Sequence, residues 1–260
     1  MIVVGCSISE VTDRLKSLST DNCLDLSRLF LDESEFSEIT RVFSKCQRPA
    51  DGFRLDLSGC ELSVEDESSI RGILENCGRL TIGNSSSKNG FSTIFEKSKF
   101  AIETLEIVGC TFRDDAQIVR ILEACPNLKT LKLAGIRIAA TTADVFPAAL
   151  KGLQNLKSLD LSFNSTWISD EQWTEILSSE RMEHLEHLTM NETSTAVHFE
   201  SYWLRSLRTF SARSSSLVWD TVLEMLSVLE SIDRIDLRYS KIDEHLAEDL
   251  RKGSTATILI

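Results

Sequence analysis

The chain repeats itself along its whole length. Arg54 to Leu62 reads RLDLSGCEL, Thr104 to Phe112 reads TLEIVGCTF, and Thr130 to Ile138 reads TLKLAGIRI. Ser158 to Thr166 reads SLDLSFNST, Arg234 to Ile242 reads RIDLRYSKI, and Arg28 to Phe36 reads RLFLDESEF. Weaker copies begin at Leu80, Leu188 and Phe210, and the opening MIVVGCSI aligns with LEIVGCTF. The first apolar position of each copy falls at 1, 29, 55, 80, 105, 131, 159, 188, 210, 235 and 258, at intervals of 22 to 29 residues. A period of that size means that each unit is one supersecondary element that must stack on its neighbours.

The pattern within each copy dictates the local structure. Alternation over five residues makes a short strand with one buried face, so Leu55 and Leu57 point inward and Asp56 outward. A turn follows at the slot held by Cys6, Cys60, Cys110 and Asn164, and by Ser34, Ile136 and Ser240 in other copies. Ser68 to Cys77 and Asp114 to Cys125 then carry apolar residues at helical spacing, with Ile118, Ile121, Leu122 and Cys125 at i, i+3, i+4 and i+7. CGRL at 77–80, CPNL at 125–128, LQNL at 153–156 and MEHL at 182–185 read as return loops. One unit buries too little to fold alone, whereas stacked units bury a continuous core. The expectation is an α/β solenoid with a curved parallel sheet on its concave side and helices on its convex side. It spans 1–260 as a single domain of about ten repeats.

These units resemble the leucine-rich repeats of the ribonuclease-inhibitor-like type, and the resemblance covers essentially the whole chain. It rests on LDLSGC at 55–60, LEIVGC at 105–110 and LDLSFN at 159–164, with the helix endings ILENCGRL and ILEACPNL. Such repeats close the C-terminal end of NOD-like innate immune receptors and also occur in F-box substrate receptors and RanGAP-like proteins. The resemblance implies a module that binds protein rather than one that catalyses. It points first to the ligand-sensing or autoinhibitory repeat domain of a NOD-like receptor or a similar multidomain protein, and second to a substrate-recognition or adaptor domain of the F-box kind. The family ends on a strand, as TILI at 257–260 does here. A first strand that starts at Met1 without a polar cap implies a piece of a longer protein, with an upstream domain stacked on residues 1–20.

Chemistry-bearing residues find repeat-based explanations. Cys6, Cys60 and Cys110 share the turn slot; Cys46, Cys77 and Cys125 are assigned to the end of the helix; Cys23 stands outside both. An odd number of thiols in core slots fits a reducing, cytoplasmic setting. No CxxC, P-loop, G-x-S-x-G or H-E-x-x-H is present, so neither a metal, a cofactor nor a catalytic centre is expected. His184 and His187 in HLEH read as solvated loop residues, and Asp114–Asp115 and Asp170–Glu171 as helix-start acids. Trp167, Trp173 and Trp219 read as core filling, and Trp203 in SYWLRSL as the aromatic most suited to a partner. Sequons stand at Asn84, Asn164 and Asn191.

Net charge decides which partners are plausible. At −12 the surface repels nucleic acid and acidic membranes and steers in a basic protein, and the same acidity serves solubility. The outward strand positions form the expected binding array. They are Phe30, Asp56, Thr81, Glu106, Lys132, Asp160, Thr189, Ser211 and Asp236, then Asp32, Ser58, Gly83, Val108, Ala134, Ser162, Asn191, Arg213 and Arg238. Acids outnumber bases five to three, with Arg213 and Arg238 late in the chain. Asp56, Glu106, Lys132, Asp160, Arg213, Asp236 and Arg238 are the candidate partner-binding residues, and the same positions also suit a merely solvated sheet. Thiol counting in denaturant without reductant should return all seven cysteines. A protected pair would count against the reducing compartment.

Overall fold

The computed structural model describes residues 22–28, 30–31, 37–41, 49–62, 67–84, 86–87, 92–96, 98–140, 145–177, 182–194, 204–220, 222, 226, 229, 231–253 and 255–260. The expectations for the first strand at Met1, for Cys6, Cys46 and Ser34, and for Trp203 lie outside these residues. The chain forms two compact units, Met1–Leu128 with Ile138–Ala140, and Lys129–Arg137 with Thr141–Ile260.

In the first unit β1 (Cys23–Asp25), β3 (Phe53–Asp56), β5 (Cys77–Gly83) and β7 (Thr104–Val108) pair in parallel in that order. Short strands β2 (Phe30–Leu31), β4 (Glu61–Leu62) and β6 (Ser86–Ser87) form a second parallel ladder, and β8 (Thr111–Asp114) pairs with β10 (Arg137–Ala140). Helices α1 (Glu67–Leu74), α2 (Ser92–Phe95) and α3 (Asp115–Ala124) belong to this unit, and residues 37–41 are helical as well. In the second unit β9 (Thr130–Ala134), β11 (Ser158–Asp160), β12 (His187–Thr189), β13 (Thr209–Ser211), β14 (Arg234–Asp236) and β15 (Thr257–Leu259) pair in parallel, again in chain order. Helices α4 (Val145–Lys151), α5 (Asp170–Leu177) and α6 (Glu244–Gly253) belong to it.

Register follows the repeat. Leu24, Leu55, Leu80 and Leu105 are successive partners in the first unit, as are Leu131, Leu159, Leu188, Phe210, Ile235 and Ile258 in the second. The residue two places on (Leu26, Leu57, Ile82, Ile107, Leu133, Leu161, Met190, Ala212, Leu237) is buried in the described repeats from β1 to β14, and Ile260 after β15 is exposed. Also buried is the one three places before, from Cys77 and Ile102 through Leu128, Leu156, Leu185 and Leu207 to Ile232. Each fully buried aliphatic side chain contributes about 1.5–3 kcal/mol, and here each is surrounded by equivalents from adjacent repeats.

Two expectations change in this frame. The strand of the first described repeat is Cys23–Asp25, not the segment starting at Arg28. NCLDLSRLFL holds two overlapping L-x-L frames, and the structure buries Leu24 and Leu26 while Phe30 pairs with Glu61 in the second ladder. Asp25 therefore takes the outward slot assigned to Phe30, and the expectation for Asp32 lies outside the described residues. Cys77 is likewise not the counterpart of Cys125. It opens β5 three places before Leu80, where other repeats carry Leu or Ile, while Cys125 caps α3. CGRL is accordingly strand rather than return loop. Gly78 beside it lies so close to the Asp51 carbonyl that a Cβ would collide with it.

The helices start on chemistry visible in the sequence. The Asp114 carboxylate accepts from Gln117 N at 3.1 Å, and Gln117 Oε1 accepts in turn from Arg113 N at 2.8 Å. Ser169 and Gln172 form a reciprocal capping box before α5. The indole of Trp167 packs edge-on against Phe146 at 4.9 Å, and Trp173 is fully buried.

The turn after each strand is the most regular feature. The residue four places beyond the first apolar position has positive φ in nine repeats: Arg28, Gly59, Asn84, Gly109, Gly135, Phe163, Glu192, Ser214 and Tyr239. Its N–H reaches sideways to a carbonyl of the next strand, as from Arg28 to Ser58, Asn84 to Val108, Phe163 to Asn191 and Ser214 to Arg238, at 2.8–3.0 Å. The left-handed conformation then points the following residue, the Cys/Asn slot, back into the core. There Cys60 Sγ donates to Leu26 O, Cys110 Sγ to Ile82 O, Asn164 Nδ2 to Leu133 O, Ser215 Oγ to Met190 O and Ser240 Oγ to Ala212 O. Every one of these acceptors is the second core residue of the preceding repeat. Asn164 also donates to Leu161 O, and its Oδ1 accepts from Ile136 N and Trp167 Nε1.

Asn164→Ala should therefore lower stability by about 3 kcal/mol, because it strands several buried groups at once. Cys60→Ala and Cys110→Ala give up only a weak S–H donor and should cost about 1 kcal/mol each. Denaturant midpoints with an unchanged slope check both, and equal losses at the three positions would contradict the ladder.

Candidate functional site

Short parallel strands present three outward positions apiece on the sheet face away from the core. In the first unit the central slot carries Asp25, Asp56, Thr81 and Glu106, and the slot before it carries Cys23, Arg54, Arg79 and Thr104. In the second unit the central slot carries Lys132, Asp160, Thr189, Ser211 and Asp236, preceded by Thr130, Ser158, His187, Thr209 and Arg234. The structure thus places Asp56 and Glu106 together on one unit's face. It places Lys132, Asp160 and Asp236 in one row of the other, with Arg213 and Arg238 beside that row.

Much of the acidic charge is committed locally. Asp25 Oδ1 accepts from Ser27 N at 2.8 Å, Asp56 Oδ1 from Ser58 N at 2.9 Å, and Asp160 Oδ1 from Ser162 N at 3.0 Å and Ser162 Oγ at 2.6 Å. These are Asx-type turns that close the strand. The L-D-L-S pattern encodes them, and the row of aspartates is therefore a structural device as much as a surface field. Lys132 Nζ lies 3.8 Å from Asp160 across β9 and β11, a partly exposed pair of small energetic value. Glu106 is half-buried and has no such Asx bond.

Asp236 is the most enclosed acid of the face, 7% exposed. Arg238 grips it with Nε at 2.9 Å and Nη2 at 2.7 Å, and Arg234 stands at 3.9 Å. The bonded Arg238 guanidinium holds the carboxyl below its ordinary range against the opposing effect of burial, with further help from the Arg238 N–H and the Arg213 charge. Arginines outnumber acids on the outward positions of β12, β13 and β14. Arg213 and Arg238 are the late bases of the graded face read from the sequence, and Arg234 stands with them.

Other chemistry is sparse. Among the described residues no group of His, Cys, Asp and Glu is placed to hold a metal ion. His187 Nδ1 lies 2.8 Å from Thr209 Oγ1, and His184 is exposed beside Glu183. Burial pushes the Cys125 thiol up to about 12, aided by nearby Cys77 and opposed by Lys99. A cleft of about 390 Å³ on the helix side runs between Phe95, Lys99, Arg120 and Glu123. Its charges pair with one another or with backbone, Arg120 with Glu96 at 3.6 Å and Lys99 with Glu123 O. No helix of the described residues is long and apolar enough to cross a membrane.

No family model matches the chain, and no curated protein matches it. Solved structures do. Internalin F of Listeria monocytogenes matches at 16% identity and a TM-score of 0.60, covering 94% of this chain and 62% of that one. The fold is the leucine-rich repeat. A leucine-rich-repeat protein of Leptospira interrogans matches at 15% identity and a TM-score of 0.50, covering 90% of this chain and 64% of that one. TLR13, solved in complex with the single-stranded RNA ssRNA13, matches at 15% and 0.50, covering 95% and 34%. The present chain spans less than two thirds of each of these leucine-rich-repeat structures.

Sequence reasoning missed several residues of this face. Asp25 was hidden by the competing frame, and Arg54, Arg79 and Arg234 precede the first apolar position, outside the positions considered. Phe163 and Tyr239 stand where other leucine-rich repeats of this chain carry glycine, a substitution visible by alignment alone.

Arg238→Gln should raise the Asp236 carboxyl toward its ordinary value of 3.8, read by carboxyl carbon NMR titration. Because the folded-state value is depressed, the pair adds stability above that ordinary value and loses it as pH falls through the lower one. The parent should accordingly lose more stability than the variant across that acidic window. Coincident titrations would remove Arg238 as the cause.

Proposed function

We propose that this chain is a protein-binding repeat module of the ribonuclease-inhibitor-like type, serving as the ligand-sensing or autoinhibitory repeats of a NOD-like receptor or a similar multidomain protein. The observation that carries the reading is the outward sheet face, a set of strands in fixed register that holds side chains of defined charge over a packed core. Rigid elements of this kind position contact residues at little entropic cost on binding. Helices of eight to ten residues in α1, α3, α5 and α6, and the Cys/Asn slot, support the ribonuclease-inhibitor-like type. Buried thiols that serve as repeat donors support a reducing, cytoplasmic setting. The acidic central slot of the first unit, with Asp25, Asp56 and Glu106, favours a basic protein surface there and disfavours a phosphate backbone.

A photo-crosslinking residue at position 106 tests the reading in extract from the source cell. It should capture a saturable protein partner that unlabelled chain competes away, whereas the same probe at Glu123 on the exposed side of α3 should not. Equal or exclusive capture from position 123 would move the binding face to the helices. Reversal of Glu106 to Lys should weaken that partner about tenfold, with the loss fading at high salt.

A further inference from the structure

We propose that the margin of the second unit's sheet, where the left-handed turns display Phe163 and Tyr239 beside Arg213 and Arg238, docks an acidic polypeptide segment. The proposal deepens the protein-binding reading above and rests on it.

The backbone supplies the first argument. The turn position has positive φ in every described repeat, and three repeats fill it with glycine. Phe163 at φ 63 and Tyr239 at φ 65 place bulky aromatic side chains in a conformation that such residues strongly avoid. Packing does not require it, because Phe163 is 56% exposed and Tyr239 82%. Two large rings are therefore held in water on a strained backbone, where glycine would fold more easily. Strain of this kind clusters at sites that bind, and exposed aromatics set on rigid elements are the usual anchors of protein interfaces.

Position supplies the second. β11, β12, β13 and β14 are successive strands, so Phe163 and Tyr239 share one slot three strands apart, about 14 Å at ordinary strand spacing. Glu192 and Ser214 fill that slot between them. Four or five residues of extended polypeptide cover that distance, at roughly 3.3 Å each.

Charge supplies the third. Arg213 and Arg238 immediately precede Ser214 and Tyr239, and Arg208 and Arg234 flank them. The opposing acids are Asp236, gripped by Arg238, Asp233, 3.6 Å from Arg208, Glu186, bonded to Lys157 and within the field of Arg208, and Glu192 on the slot itself. At the turn margin itself, three and four places past the first core residue, Arg213 and Arg238 stand against one acid, Glu192, on a chain whose net charge is −12. Arg213 is exposed and forms no ion pair among the described residues. Arginine beside aromatic rings selects carboxylates interleaved with apolar side chains. The same pair of features suits stacked bases, but the net charge of the chain opposes a phosphate backbone.

Fluorescence anisotropy with a labelled peptide of repeating Asp-Leu-Glu tests the proposal on the full chain. The parent should bind it at low salt, lose it as salt rises, and ignore the matching Lys-Leu-Lys peptide. Phe163→Gly and Tyr239→Gly should each weaken binding by about tenfold or more while melting no lower than the parent. Arg213→Glu should weaken it comparably, and Arg213→Gln by less. The proposal is overturned if the parent ignores the acidic peptide, if the glycine variants bind it as well as the parent, or if a labelled oligouridylate binds more tightly than the peptide. Loss of the peptide result while capture through position 106 persists sinks this site alone and leaves the sheet-face reading standing.

Discussion

A single sideways hydrogen bond recurs along the stack, in seven of the nine described turns. The N–H four residues past the first core leucine donates to the next strand's carbonyl, and reaching it takes the backbone into the left-handed region. That excursion swings the following side chain inward, where a thiol, amide or hydroxyl donates to the preceding repeat. Burial, register and the outward array all follow from this geometry. If the turn were right-handed, the slot side chain would face water and the carbonyl behind it would be buried without a partner.

The core was legible because its spacing is nearly invariant, and Leu55, Leu105, Leu131 and Leu159 announce themselves. The first described repeat was misread because NCLDLSRLFL satisfies the same pattern twice. Only the tertiary register of Leu24 on Leu55 separates the two frames. Cys77 was misread because a cysteine serves equally as a small strand hydrophobe and as a helix-end residue. The candidate site was less legible than the core. Its charged positions were found by alternation, but alternation cannot report that Asp56 and Asp160 spend a carboxylate oxygen on their own strand ends. Nor can it report that Arg238 folds back on Asp236.

The two units offer different outward chemistry. The first carries Asp25, Asp56 and Glu106 among scattered arginines, and the last strands of the second carry Arg213, Arg234 and Arg238 around one gripped aspartate. Each unit taken by itself therefore suits a surface of different charge. The exposed aromatics sit at the cationic margin, where desolvation makes an arginine contact most selective.

The reach-back ladder is uneven, and the unevenness has a mechanical meaning. Asn164, Ser215 and Ser240 each tie their repeat to the one before. Thr193 turns its hydroxyl to its own Asn191 carbonyl, at 3.4 Å, instead of to the repeat behind it. At the seam between the β11 and β12 repeats the side-chain ties lie outside the core instead: Ser162 Oγ accepts from Asn191 N at 3.0 Å, and Lys157 Nζ meets Glu186 Oε1 at 2.6 Å. Part of what ties that seam together is thus open to water, and its strength falls as salt screens the Lys157–Glu186 pair, whereas the buried amide of Asn164 holds its own junction whatever the ionic strength.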